Sequence, residues 1–132
     1  MAGARTLIVD DDARLRRCIR DLLASAPGME VVGEAASGSE ALDKARSLHP
    51  DLVLMDVRMP GGNGLETTMQ IKGEMPQVQV IILTTYDLPE YRDAAIDSGA
   101  SGYVVKHMLS EVLLPTIRDV RASQFASIAE SN

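Results

Sequence analysis

The chain has 132 residues, 45% hydrophobic and 24% charged, with a formal net charge of -6, which bounds it to one compact domain around one core. An acidic balance with no clustered basic face excludes direct nucleic-acid binding by this segment. One phenylalanine, three tyrosines and no tryptophan leave few residues for a flavin or base-stacking pocket.

The longest apolar runs, Val78 to Leu83 and Leu52 to Met55, stop far short of the roughly 18 to 20 residues that cross a bilayer, and no secretory apolar region opens the chain. No membrane partner and a cytoplasmic address are therefore expected. Cys18, the single cysteine, permits neither an internal disulfide, a Cys/His zinc pattern nor a Cys-x-x-Cys pair. Any metal must be held by oxygen.

The first predicted strand, Thr6 to Val9, runs into Asp10-Asp11-Asp12. The helix after it places Leu15, Cys18, Ile19, Leu22 and Leu23 on one helical stripe, which assigns Cys18 to the core, and Pro27-Gly28 ends it. Val31 to Ala35 reads as the second strand. Ser37-x-x-Glu40 is a capping box for the second helix, whose Ala41, Leu42, Ala45 and Leu48 face inward before Pro50 stops it. The third strand, Leu52 to Met55, runs into Asp56, and the fourth, Val78 to Leu83, into Thr84-Thr85. Asp87-x-x-Glu90, with Pro89 in the first turn, reads as a second capping box for the fourth helix, and Gly99 stands where a left-handed C-terminal cap is wanted. The fifth strand, Gly102 to Val105, ends at Lys106. Pro115 inside the last helix removes one hydrogen bond, so a late start, a kink or unusual packing is expected there.

The βα unit is thus written five times, at a spacing of roughly 24 residues. Parallel strands need crossover connections that cover apolar surface, so the pattern predicts an α/β, doubly wound, five-stranded parallel sheet with helices on both faces. Residues 1–122 form the expected domain, and residues 123–132, small and polar, read as an extended last helix, a tail or the start of a linker.

Ligands of open α/β sheets sit outside the carboxyl ends of the strands. Unrelated segments bring carboxylates, a hydroxyl and an ammonium to that one edge: Asp10, Asp11, Asp56, Thr84 and Lys106. Crowded carboxylates repel unless a cation sits among them. A hard divalent ion with few carboxylates, waters and a phosphate oxygen suits magnesium, with manganese as substitute, better than calcium. Lys106 can then neutralise a second phosphate oxygen and Thr84 can donate to a third. Each residue has a bland alternative: Asp10 to Asp12 as a solvated helix start with Asp12 as N-cap, Lys106 as a surface lysine, Thr84 as a satisfied strand end. Their joint position favours a phosphoryl cradle.

Leu7-Ile8-Val9-Asp10-Asp11, Leu52 to Pro60, Ile82-Leu83-Thr84 and Gly99 to Lys106 together resemble the bacterial response-regulator receiver family, over roughly residues 5 to 122. The wording Val57-Arg58-Met59-Pro60 and Gly102-Tyr103-Val104-Val105-Lys106 is similar to the subfamily with a C-terminal helix-turn-helix (NarL/FixJ/LuxR-like). The resemblance implies a flavodoxin-like strand order of 2-1-3-4-5 and Asp56 as phosphoacceptor. It implies Asp11 as a direct metal ligand, Asp10 as a metal-site acid partly acting through water, the Arg58 backbone carbonyl as a further ligand, and Thr84 and Lys106 on the phosphoryl group. Tyr103 is then the aromatic whose rotamer accompanies switching of the surface made by the fourth helix, fifth strand and fifth helix. Partners implied are a sensor histidine kinase and a phosphorylation-dependent homodimer. The expected class is a phosphoacceptor with slow self-dephosphorylation, not an enzyme, with a transcriptional output or, alternatively, a stand-alone receiver docking to a protein.

Arg58 and Tyr86, two residues after Asp56 and Thr84, are bulky groups expected at the mouth of the site, where they would modulate phosphoryl lifetime. His107 follows Lys106 where many relatives place proline, which argues against a cis peptide there. Two rival readings fit the residues less well. A haloacid-dehalogenase-like phosphatase would use Asp10-x-Asp12 but leaves Asp56 without a role; a flavodoxin-like carrier would want hydroxyls and amides where Asp10 to Ala13 offers acids.

Overall fold

In a computed structural model that describes residues 3–60 and 62–130, with side chains described to residue 122, the apolar runs become β1 (Ala4–Val9), β2 (Met29–Ala35), β3 (Leu52–Asp56), β6 (Gln79–Thr84) and β7 (Gly102–Val105). They pair in parallel in the order β2-β1-β3-β6-β7, which is the predicted 2-1-3-4-5 pattern once two short strands are set aside. Those two, β4 (Arg58–Met59) and β5 (Gly62–Asn63), form an antiparallel ribbon that the sequence reading did not anticipate. Two residues per strand carry no readable period of alternation.

The helices are α1 (Ala13–Ala24), α2 (Gly38–Leu48), α3 (Gly64–Glu74), α4 (Pro89–Asp97) and α5 (Leu109–Glu130), the last preceded by a 3-10 turn at Lys106–Met108. Central strands are buried on both faces, so consecutive residues serve different cores. Ile8, Leu52, Leu54, Ile81 and Leu83 meet Ile19 and Leu23 of α1 and Leu113, Ile117 and Val120 of α5. Leu7, Val9, Val53, Met55, Val80 and Ile82 meet Ala41 and Ala45 of α2, Ile71 of α3 and Ala95 of α4. Among the described residues no helix is long and apolar enough to cross a membrane.

Three local expectations are corrected. Cys18 is exposed rather than core: α1 seats Ile19 and Leu23 fully against the sheet, and Cys18 lies one helical step of about 100° from Ile19, on the edge that turns to water. Asp87 does not cap α4. The N-cap is Leu88, without a side-chain hydrogen bond, because Pro89 occupies the first helical position and the Asp87 carboxylate accepts instead from Arg92 at 2.9 Å. Pro115 neither delays nor interrupts α5, which is assigned from Leu109; the residue is exposed, so water can serve the carbonyl it leaves unpaired.

Other signals read as written. Ser37 accepts from Glu40 N–H while the Glu40 carboxylate accepts from Ala36 N–H, a variant of the capping box displaced by one residue. Gly99, with φ +97, closes α4 in a Schellman motif through Gly99 N–H to Ile96 O and Ala100 N–H to Ala95 O. Among the described residues no peptide bond is cis. Ser131 and Asn132, part of the 123–132 segment, lie outside the described residues.

Gly64 ties the fold to the end of β3. Its N–H donates to Val57 O at 2.8 Å, and a Cβ built there would lie 1.9 Å from the backbone oxygen of Asp56. No rotamer change can relieve a clash with backbone. Gly64→Ala is therefore expected to cost about 1–3 kcal/mol or more, the range of core overpacking, measured by urea unfolding; a variant as stable as the native chain would show that this contact is not tight.

Candidate functional site

The strands deliver their side chains to the carboxyl edge in two ways: Asp10 and Lys106 are the first residues past β1 and β7, whereas Asp56 and Thr84 are the last residues of β3 and β6 and still pair in the ladder. Asp10 N–H still donates to Ala35 O at 3.0 Å and Val57 N–H to Leu83 O at 3.2 Å, so the backbone on either side of the acids is held. Asp10 is fully buried and Asp56 is 4% exposed. Asp10 is pinned twice, with Oδ1 accepting from Asp12 N–H at 2.8 Å and its carbonyl accepting from the Arg16 guanidinium.

Lys106, leaving β7, puts Nζ 2.9 Å from Asp10 Oδ2 and 2.9 Å from Asp56 Oδ1. The two carboxylates are thus bridged by one ammonium. Asp10 Oδ2 nevertheless lacks a hydrogen-bond partner: the lysine is at ion-pair distance but off the direction of a hydrogen bond. Ligand atoms of Asp10, Asp11 and Asp56 lie within 4.8 Å of one another. An all-oxygen donor set with a buried, unsatisfied carboxylate oxygen fits a hard divalent cation and no soft one.

Burial raises the Asp56 carboxyl above the ordinary aspartate range; Lys106 opposes the rise and Asp10 adds to it. Burial also pulls the Lys106 ammonium down, but Asp10 and Asp56 more than offset that, so its pKa lies above the usual lysine value. One cation facing two buried anions explains both directions.

Thr84 lines the same cleft of about 320 Å³ with Asp10, Asp11, Asp56, Arg58 and Lys106. Its hydroxyl is engaged with the next turn: Oγ1 accepts from Tyr86 N–H at 3.2 Å and reaches Tyr86 O at 3.4 Å. Tyr103 lies outside the cleft lining, half-buried, and its hydroxyl donates to that same Tyr86 carbonyl at 2.6 Å. Burial lifts the phenol's pKa, and the nearby Thr84 hydroxyl works against the rise. Asp12 caps α1, accepting from Arg14 N–H at 2.9 Å. The Asp10-x-Asp12 scheme of a phosphatase thereby loses its second acid to a structural task.

Arg58 and Tyr86 do meet at the mouth, with the guanidinium carbon 5.2 Å from the ring centroid. The sequence reading missed a third member. Tyr91, in the first turn of α4, stacks on Tyr86 at 5.7 Å and 20°, and its phenol oxygen accepts from Arg58 at 3.2 Å. Aromatic stacking contributes about 0.5–1.5 kcal/mol and an exposed cation–π contact about 0.5–1 kcal/mol, enough to favour this arrangement over free side chains. No spacing rule links Tyr91 to Arg58, because they meet only through the fold.

A family model described as "Response regulator receiver domain" matches residues 6–118. The DNA-binding transcriptional activator DevR/DosR of Mycobacterium tuberculosis is 40% identical over 120 residues, covering 91% of this chain and 55% of that protein. The nitrate/nitrite response regulator NarP of Escherichia coli is 43% identical over 114 residues, 86% of this chain and 53% of its own length. A crystal structure of a LuxR-family two-component response regulator from Aurantimonas superposes with a TM-score of 0.88 at 34% identity, covering 92% of this chain and 87% of that one. The chain spans about half the length of the curated relatives it matches.

The raised pKa of Asp56 has a stability consequence. A carboxyl that binds its proton more tightly folded than unfolded contributes stability that is complete below the unfolded value and is lost as pH rises through the folded one. Asp56→Asn, which carries no such charge, should melt higher than the native chain at neutral pH in chelator-treated buffer. The gap should narrow as pH falls toward the ordinary aspartate range. Thermal melts with a gap that is constant or reversed would contradict the electrostatic account.

Proposed function

The chain belongs to the response-regulator receiver family, and on that footing we propose that Asp56 accepts a phosphoryl group from a sensor histidine kinase, switching the face made by α4, β7 and α5. The observation that carries this is Lys106 bridging the buried Asp56 and Asp10 at 2.9 Å each. A strand-end carboxylate held beside a fixed ammonium is a nucleophile whose product charge already has its counterion.

In this reading an Asp56 oxygen attacks phosphorus in line, and the donor atom leaves with the electron pair of the broken bond to phosphorus. Magnesium, or manganese in its place, would be held by Asp10, Asp11, Asp56 and the Arg58 backbone carbonyl, and would supply positive charge to the phosphoryl oxygens. Lys106 exchanges a carboxylate partner for a phosphoryl oxygen, and Thr84 turns its hydroxyl from Tyr86 toward another. The acyl phosphate later hydrolyses: water attacks phosphorus, its protons leave with inorganic phosphate, and the Asp56 carboxylate is restored. This is phosphoacceptance with slow self-dephosphorylation rather than turnover of a substrate. Arg58 and Tyr86, at the mouth, modulate the lifetime.

Withdrawal of Thr84 removes the acceptor of the Tyr86 N–H and so releases the turn on whose carbonyl Tyr103 is seated, which biases the switch face between two arrangements. The domain of this reading is 1–122, with 123–132 as an extended last helix, a tail or the start of a linker. Output is proposed to be transcriptional, supported by the transcription-regulator names of the relatives, with a phosphorylation-dependent homodimer or a docked protein partner as the means. A cytoplasmic address goes with that role.

Incubation with acetyl phosphate and magnesium should add one phosphoryl mass, absent after chelation and absent in Asp56→Asn. Lys106→Ala should retain the fold and slow uptake by about 100-fold, the loss typical of one charge-stabilising donor. An adduct that survives Asp56→Asn would overturn the assignment. Calorimetry should find weaker magnesium binding in Asp11→Asn, since a hard cation loses a ligand there.

A further inference from the structure

Arg58 leaves β3 through the β4–β5 ribbon, whereas Tyr91 belongs to α4, so the hydrogen bond between them at 3.2 Å joins two separate elements over the mouth of the acidic cleft. Both residues, with Val57, line that cleft of about 320 Å³ and also a second cavity of about 440 Å³ that runs along the ribbon beside Met59 and Asn63. The Arg58–Tyr91 pair is therefore the partition between the two spaces. Tyr86 braces it, since the Arg58 guanidinium carbon lies 5.2 Å from its ring centroid and Tyr91 stacks on it at 5.7 Å.

Resting on the phosphoacceptor reading above, we propose that Tyr91 is a positioning residue that latches Arg58 across the partition and thereby sets how fast water reaches a phosphoryl group on Asp56. Arg58 is exposed and its long side chain has many rotamers in water. A single acceptor on a helix, itself held by stacking, selects one of them. Tyr91 is placed for this by local structure: Leu88 is the extended N-cap, Pro89 fixes the first helical position, and Tyr91 N–H donates to Leu88 O at 3.0 Å. The phenol consequently moves with α4. Any displacement of α4 that parts Tyr91 from Arg58 merges the ribbon cavity with the acidic cleft and opens a second approach for solvent. Hydrolysis itself is unchanged in chemistry: a water oxygen bonds to phosphorus, the phosphorus–carboxylate bond breaks, and the protons leave with the phosphate.

The test is the decay of phosphorylated protein after acetyl phosphate is removed, followed by intact mass in the presence of magnesium. Four variants are compared with the native chain: Tyr91→Phe, Tyr91→Ala, Arg58→Ala and the pair Arg58→Ala with Tyr91→Phe. Tyr91→Phe keeps the ring stack and loses only the acceptor oxygen, so it should accelerate decay roughly threefold or more, the scale of coupling between contacting side chains, and Tyr91→Ala at least as much. Because Tyr91 acts through Arg58, Tyr91→Phe should add nothing in the Arg58→Ala background. A purely structural tyrosine would instead lower the melting temperature without changing decay, or would keep its full effect on decay when Arg58 is already gone. Unchanged or slower decay in Tyr91→Phe, or an undiminished effect in the double variant, overturns the latch. These outcomes are distinct from failure of the phosphoacceptor reading, which appears as absence of label on Asp56 in the native chain and would remove both.

Discussion

Lys106 holds together two carboxylates that would otherwise repel each other in the most buried part of the carboxyl edge. Its ammonium is 2.9 Å from both Asp10 and Asp56, and no other ammonium is shared between buried acids among the described residues. One positive charge cannot neutralise two buried anions, with a third carboxylate at Asp11 close by. The remaining negative charge is what makes the site receptive to a cation; burial raises the Asp56 carboxyl, with Asp10 adding to the rise, and the two carboxylates together hold the Lys106 ammonium above its usual value. The fold tolerates this because β1 and β3 are paired with neighbours on both sides, which holds their carboxyl ends in place against the repulsion.

From that cluster, contacts lead outward in two directions through one short stretch of chain. Tyr86 receives the Thr84 hydroxyl and the Tyr103 hydroxyl on its carbonyl while its ring receives Arg58 and Tyr91. The first turn of α4 repeats the division: Tyr91 meets Arg58 at the mouth of the site, and the next residue, Arg92, lies 5.3 Å from the centroid of the Tyr103 ring. In the proposed reading, access to Asp56 and the state of the face made by α4, β7 and α5 would therefore share a mechanical element. A helix start without a side-chain cap is a reasonable place for it, since fewer hydrogen bonds resist its displacement.

The electrostatic and packing demands are met by different residues, which limits their interference. Gly64 gives the end of β3 the room it needs, where any Cβ would strike the Asp56 backbone, and contributes no charge. Asp12 belongs to the acidic run but is consumed in capping α1. The exposed Asp87–Arg92 pair, each side chain 58% exposed, contributes little to stability, and its effect is to orient Arg92 toward Tyr103.

Strand identity, the five-fold alternation and the strand-end groups were legible in the sequence, because burial on both faces leaves continuous apolar runs and because polar residues of complementary chemistry have few reasons to recur at the ends of four unrelated segments. Gly99 and Ser37-x-x-Glu40 were legible for the same local reason: a cap is decided within four or five residues. Cys18 was misread because a helical stripe states which residues can face a core, whereas the width of the contact depends on how α1 seats on the sheet. Asp87 was misread because a carboxylate can cap a helix or pair with an arginine, and only the placement of Pro89 and Arg92 chooses. The Arg58–Tyr86–Tyr91 arrangement and the buried Asp10 oxygen, ion-paired with Lys106 but without a hydrogen bond, belong wholly to the tertiary structure. Sequence spacing reports neighbours along the chain, while the Arg58–Tyr91 contact joins segments 33 residues apart whose distance in space is fixed by the sheet.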